Sequence, residues 1–145
     1  MEQINFDNYL PEEKTLNSKY LDFPMELRDE LGYLDEVLED YERMVLNIGS
    51  LGYSAAMLMY YRDEVQESLE FLKNKDLDIS EYWRKISELD NILRANARTF
   101  VNETGYYSFK QYQIINDPPK IRWWWYLDRN YPSPGKGPKP WEIWK

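Results

Sequence analysis

From Leu27 to Ile48 the chain places an apolar side chain at alternating steps of four and three residues: Leu27, Leu31, Leu34, Leu38, Tyr41, Val45 and Ile48. That spacing aligns all seven along one seam of an α-helix, the a/d rhythm of a helix made to pack on other helices. Between them stand Glu26, Arg28, Asp29, Glu30, Asp35, Glu36, Glu39, Asp40, Glu42 and Arg43, so the opposite face is strongly acidic. One stretch therefore specifies both a core and a charged surface.

The seam predicts a first helix over about residues 23–48, roughly 39 Å long at 1.5 Å per residue. Asp22 is placed to cap it, and Pro24 suits its first turn because the missing N–H is not needed there. Residues 1–21 read as an irregular or partly helical arm. Gly49-Ser50-Leu51-Gly52 breaks the first helix, and a second is predicted over 53–73, with Ala55, Leu58, Val65, Leu69 and Leu72 continuing the seam. Arg62 stands where that seam calls for an apolar residue. It either snorkels outward along its stem or pairs with a carboxylate of the first helix.

A third helix is announced by Asp78 and Glu81 as a capping box, with Leu77 and Tyr82 as hydrophobic staple. Tyr82, Ile86, Leu89, Leu93, Ala97 and Phe100 give it one apolar face, ending near residues 102–105. Residues 106–116 are rich in aromatics, but Tyr106, Phe109, Tyr112 and Ile115 recur every third position, which favours a short fourth helix over an unpaired strand. Pro118-Pro119 ends it. The resulting expectation is an all-α, antiparallel four-helix bundle with an N-terminal arm over residues 1–117. An extended, basic Trp/Pro-rich tail follows over residues 118–145.

Composition narrows the chemistry. At 145 residues the chain is long enough for one domain with a real core. It has no cysteine and no histidine, which removes disulfides, thiol chemistry, and the commonest general base and metal ligand. Asp35/Glu39 and Glu36/Asp40 are carboxylate pairs at i,i+4, but such pairs read as a solvated helix face. Gly135-Lys136-Gly137 lies among prolines with no helix after it to receive a phosphate. We therefore expect no enzyme activity, no catalytic residues, no cofactor and no metal.

Residues 1 to 7 lack the basic start and apolar run of a signal peptide. The 18 uncharged residues from Met44 to Tyr61 are interrupted by two glycines and read as a helix junction rather than a membrane span.

Charge is unevenly spread. Residues 1–100 carry 22 acidic and 11 basic side chains, a net of −11, whereas residues 101–145 carry 4 and 7, a net of +3. In the second region Trp123, Trp124, Trp125, Trp141 and Trp144 are interleaved with Lys120, Arg122, Arg129, Lys136, Lys139 and Lys145. Tryptophan and arginine are typical interface anchors, and the same mixture suits stacking on single-stranded bases. Trp123 and Trp125 are expected to fold back over the end of the bundle. Three consecutive tryptophans do not all face one core, so at least one is expected to remain free. The candidate partner-binding residues are Glu36 and Asp40 on the acidic face, with Arg122, Trp124, Arg129, Lys136, Lys139, Trp141 and Trp144 in the tail.

A small acidic helical chain without Cys or His, with the heptad helix Leu27–Ile48, further helices and the tail Trp123–Lys145, resembles a viral family. That family comprises the RNA polymerase inhibitor and a related bundle-forming virion protein of an archaeal two-tailed virus. The resemblance implies a four-helix bundle that enters the DNA-binding channel of host RNA polymerase in the host cytoplasm, blocks template loading and restrains the clamp. It transfers no individual functional residue. The resulting expectation is a monomeric protein-binding inhibitor, without membrane association and without direct binding of duplex DNA, which a net charge of −8 repels. The alternative is a virion or assembly protein built on the same helical body.

Overall fold

The computed structural model describes residues 24–73, 75 and 77–129, and these residues are all-helical, with no strand among them. Helix α1 runs Met25–Val45. Pro24 precedes it and supplies the first carbonyl, which accepts the Arg28 N–H at 3.0 Å. Asp22, the expected cap, lies outside the described residues. Leu31, Leu34, Leu38, Tyr41 and Val45 are buried, as their spacing predicts, and Val37 and Met44 widen the seam into a stripe. Leu27 and Ile48 are partly buried at its ends.

The α1 helix stops three residues short of the expected end because the chain must turn back. Gly49 and Gly52 take left-handed backbone angles, φ +106° and +68°, which an L side chain adopts only with strain. A 3₁₀ turn over Gly52–Ser54 follows, so α2 spans Met57–Leu72 rather than beginning at Tyr53. The α1/α2 pair is antiparallel: Glu30 accepts a hydrogen bond from the Ser68 hydroxyl, and further along Tyr33 bonds Glu64.

Helix α3, Ser80–Ala95, returns parallel to α1, with the Tyr82 hydroxyl on Asp35 at 2.6 Å and Tyr41 on Asp90 at 2.7 Å. The expected capping box does not form. Asp78 accepts the Ser80 N–H at 3.1 Å from two residues ahead, while Glu81 pairs with Arg84 at 2.8 Å. The Ser80 side-chain hydrogen bond, and after it this backbone one, hold the Asp78 carboxyl below its usual pKa.

The long third helix is also divided. At Asn96 the backbone leaves helical angles, and the side-chain amide folds back to the Ile92 carbonyl at 2.8 Å. Helix α4 then covers Ala97–Thr104, Gly105 turns at φ +94°, and α5 covers Tyr106–Asn116. In place of a fourth long helix, the described core is completed by α4, α5 and a second 3₁₀ turn over Trp123–Trp125.

The α4 helix packs on the Gly52–Ser54 turn, α5 on α4, and the tryptophan turn on α2. On α5 the three-residue rhythm misassigns the buried side. Tyr106 and Ile115, nine residues apart, lie about 180° apart around a helix, and both are exposed. Phe109 and Gln113 face inward.

The boundary expected at residues 117/118 does not separate a body from a tail within the described residues. After Pro118-Pro119 the chain folds straight back, and Trp123, Trp124, Trp125 and Leu127 all join the core. The surroundings explain why three consecutive tryptophans can be buried. A 3₁₀ turn fans successive side chains about 120° apart, and helical side chains receive each one. Trp123 takes the Arg94 guanidinium on its face at 4.0 Å, Trp124 takes that of Arg62 at 4.2 Å, and Trp125 packs nearly perpendicular to Tyr60 with ring centres 5.2 Å apart. The expectation of one free tryptophan is thereby corrected.

Candidate functional site

Among the described residues a connected polar network is internal. Arg62 on α2 meets Asp90 on α3 through two hydrogen bonds, Nε to Oδ1 and Nη2 to Oδ2, both 3.0 Å. Its Nη1 donates to Gln66 Oε1 at 2.9 Å, and the Tyr41 hydroxyl donates to Asp90 Oδ1 at 2.7 Å. Trp124 lies over the guanidinium. Burial alone would pull the Arg62 pKa down, but the charge and hydrogen bonds of Asp90 outweigh it and the net shift is upward. Tyr41 is pushed well above 10, first by burial and then by the Asp90 charge. Arg94 is lowered by burial, against the charge of Asp90, which acts upward. Arg62 thus pairs with the third helix and not with the first. Arg62 and Asp90 are both fully covered, so the network organises the core rather than meeting a ligand.

A second junction fastens the tryptophan turn. Asp63 Oδ1 accepts the indole N–H of Trp124 at 2.8 Å and of Trp125 at 2.9 Å, and Arg122 Nη1 lies 3.2 Å away. Arg122 also approaches Glu67 at 3.6 Å. Among the expected partner-binding residues, Trp124 is therefore a core residue with no exposed surface, and Arg122 is largely covered and paired. Arg129 is exposed, donating to Gln113 Oε1 at 3.2 Å and lying over Tyr126. Lys136, Lys139, Trp141 and Trp144 lie outside the described residues.

The outward surface of α1 remains acidic. Asp35 is engaged by Tyr82, Asp40 by Arg43 at 2.8 Å, and Glu42 by Lys85 at 2.9 Å. Glu26, Asp29, Glu36 and Glu39 are exposed. Glu36 and Asp40 share one face a turn apart, with Asp40 half-covered by its arginine. Tyr33 lies among carboxylates of both α1 and α2. Its hydroxyl is pushed up to about 12 by partial burial, then by Glu64, Glu30 and Glu67. Beside this face, α1 and α3 frame an open groove of about 400 Å³, bordered by Glu39, Glu42, Glu81 and Lys85.

No group of three or more carboxylate, histidine or cysteine side chains among the described residues is arranged to hold a metal, and no described helix is long and apolar enough to cross a membrane.

Sequence reasoning located the acidic face but missed Asp90, Asp63 and Gln66. Asp90 had a signal: it falls on the inward stripe of α3 beside Leu89 and Leu93, opposite the equally misplaced charge of Arg62. Asp63 had none, because its partners are 61 and 62 residues away. No family model, curated protein or solved structure matches this chain.

Proposed function

We propose that this protein is a non-catalytic inhibitor whose acidic α1 face occupies a basic, nucleic-acid-binding groove of a partner protein. The DNA channel of a host RNA polymerase in the host cytoplasm is the instance suggested by the family resemblance. One observation carries the reading: Glu26, Asp29, Glu36, Glu39 and Asp40 lie on or beside the outward side of one rigid helix. They span about 21 Å in four intervals averaging about 5 Å, looser than the roughly 3.4 Å per charge along one strand of DNA but of the same order. A groove evolved for phosphates attracts such a rod without any sequence reading. Residues 130–145, with Lys136, Lys139, Trp141 and Trp144, would anchor the complex beside the groove.

The test is competition against DNA for purified RNA polymerase. Glu36→Lys with Asp40→Lys should slow association about tenfold at low salt, with the difference shrinking as salt screens the charges. Equal competition by the double variant at low salt refutes the reading. The alternative, a virion or assembly protein, draws its support from the exposed apolar side of α5.

A further inference from the structure

On α5 the side turned away from the core carries Tyr107, Ile114 and Ile115, exposed by 76, 70 and 73%, with Gln111 between them and Tyr106 on the flank. Steps of four, seven and eight residues from Tyr107 make this one stripe, opposite the inward Phe109 and Gln113. A stripe of this size is comparable with the largest apolar patch on a typical monomer, and such patches are often functional.

We propose that the stripe is a two-fold interface with a second copy of this chain, α5 packing antiparallel on α5. Charge selects this occupant. The α5 helix contains a single charged residue, Lys110, and its ammonium is held by Asp128 at 2.8 Å. In a chain of net charge −8, this is a face on which another copy meets little repulsion. A basic partner is drawn to α1 instead.

The pattern is self-complementary. With Gln111 on the axis, Tyr107 of one copy lies against the partner's Ile115. The two Gln111 amides each donate and accept, and a polar residue inside an apolar seam fixes the register. The bare stripe amounts to roughly 500 Å² per copy, below the 800 Å² or so of a standard interface, which places the pair among small, reversible interfaces. An isologous pair closes at two copies and does not polymerise. This departs from the monomer anticipated from the sequence and is independent of the function proposed above.

Sedimentation velocity of the full chain from about 5 to about 500 µM should show the mass rising toward twice that of one chain. Ile114→Glu should hold it at one chain with an unchanged helical circular dichroism spectrum. Because the chain has no cysteine, Gln111→Cys should give a covalent dimer on mild oxidation. Glu88→Cys, on the exposed side of α3, should not do so at the same concentration. A mass that stays at one chain across the range overturns the proposal, whether the stripe is bare or covered by residues 130–145. A dimer that survives Ile114→Glu overturns it equally.

Discussion

Asp90 collects three donors from two other helices, one from Tyr41 and two from Arg62, and is 1% exposed. Removing it leaves a guanidinium buried against an aromatic face without its hydrogen-bonded carboxylate. Asp90→Ala should therefore cost about 3–5 kcal/mol by urea denaturation, whereas Arg62→Leu combined with Asp90→Leu should cost far less, since desolvating an ion pair offsets most of its attraction. A single variant as stable as the double one would contradict the pairing.

Tyr41 adds a pH dependence. Its folded pKa lies well above the unfolded 10, so its contribution is complete below pH 10 and is lost as pH rises from there toward the folded value. Stability should fall from about pH 10 upward by up to about 1.4 kcal/mol per pH unit from this residue, and Tyr41→Phe should flatten that fall. An alkaline decline identical in the variant would assign the effect elsewhere.

Two carboxylates act as fasteners between elements. Glu103 on α4 accepts the backbone N–H groups of Gly49 at 2.7 Å, Gly52 at 3.1 Å and Leu51, tying down the turn between α1 and α2. Asp63 on α2 does the same for the tryptophan turn through side chains. Asp63→Ala should leave two buried indole N–H groups and Arg122 without their acceptor, at about 1–3 kcal/mol for each orphaned group. The tryptophan emission should move to longer wavelength well before the helical signal is lost in urea. Coincident transitions in wild type and variant alike would sink this picture of a separately fastened turn.

At this scale the sequence was legible where a periodicity is long. The seams of α1 and α2 and the inward side of α3 follow from their spacing. The division at Asn96 was not legible, because a single side-chain-to-backbone bond makes it within an unbroken apolar rhythm. The inward side of α5 was missed because eleven residues hold too few turns to separate a period of three from one of 3.6. The burial of Trp124 depends on side chains far away in the chain.

For the whole molecule, the decisive fact is that Trp123, Trp124, Trp125 and Leu127 belong to the core. A chain ending at Tyr131 should keep its helical content and one cooperative thermal transition. One ending at Asp117 loses Trp123, Trp124, Trp125 and Leu127 from the interior. At about 3–5 kcal/mol for each large side chain, that is as large as or larger than the 5–15 kcal/mol or so by which a domain is stable. It should show no cooperative transition, and a sharp melt by the shorter chain would return the tryptophans to a dispensable appendage.

The fold also has an order of completion. The α1/α2 hairpin can begin to form while the chain is still being synthesised, N-terminal part first. The lid over Arg62 is Trp124, 62 positions later, so this charged centre stays wet until nearly the last of the described residues has emerged. A nascent chain of this protein carries an unfinished core for most of its synthesis, and closure is a late, long-range event.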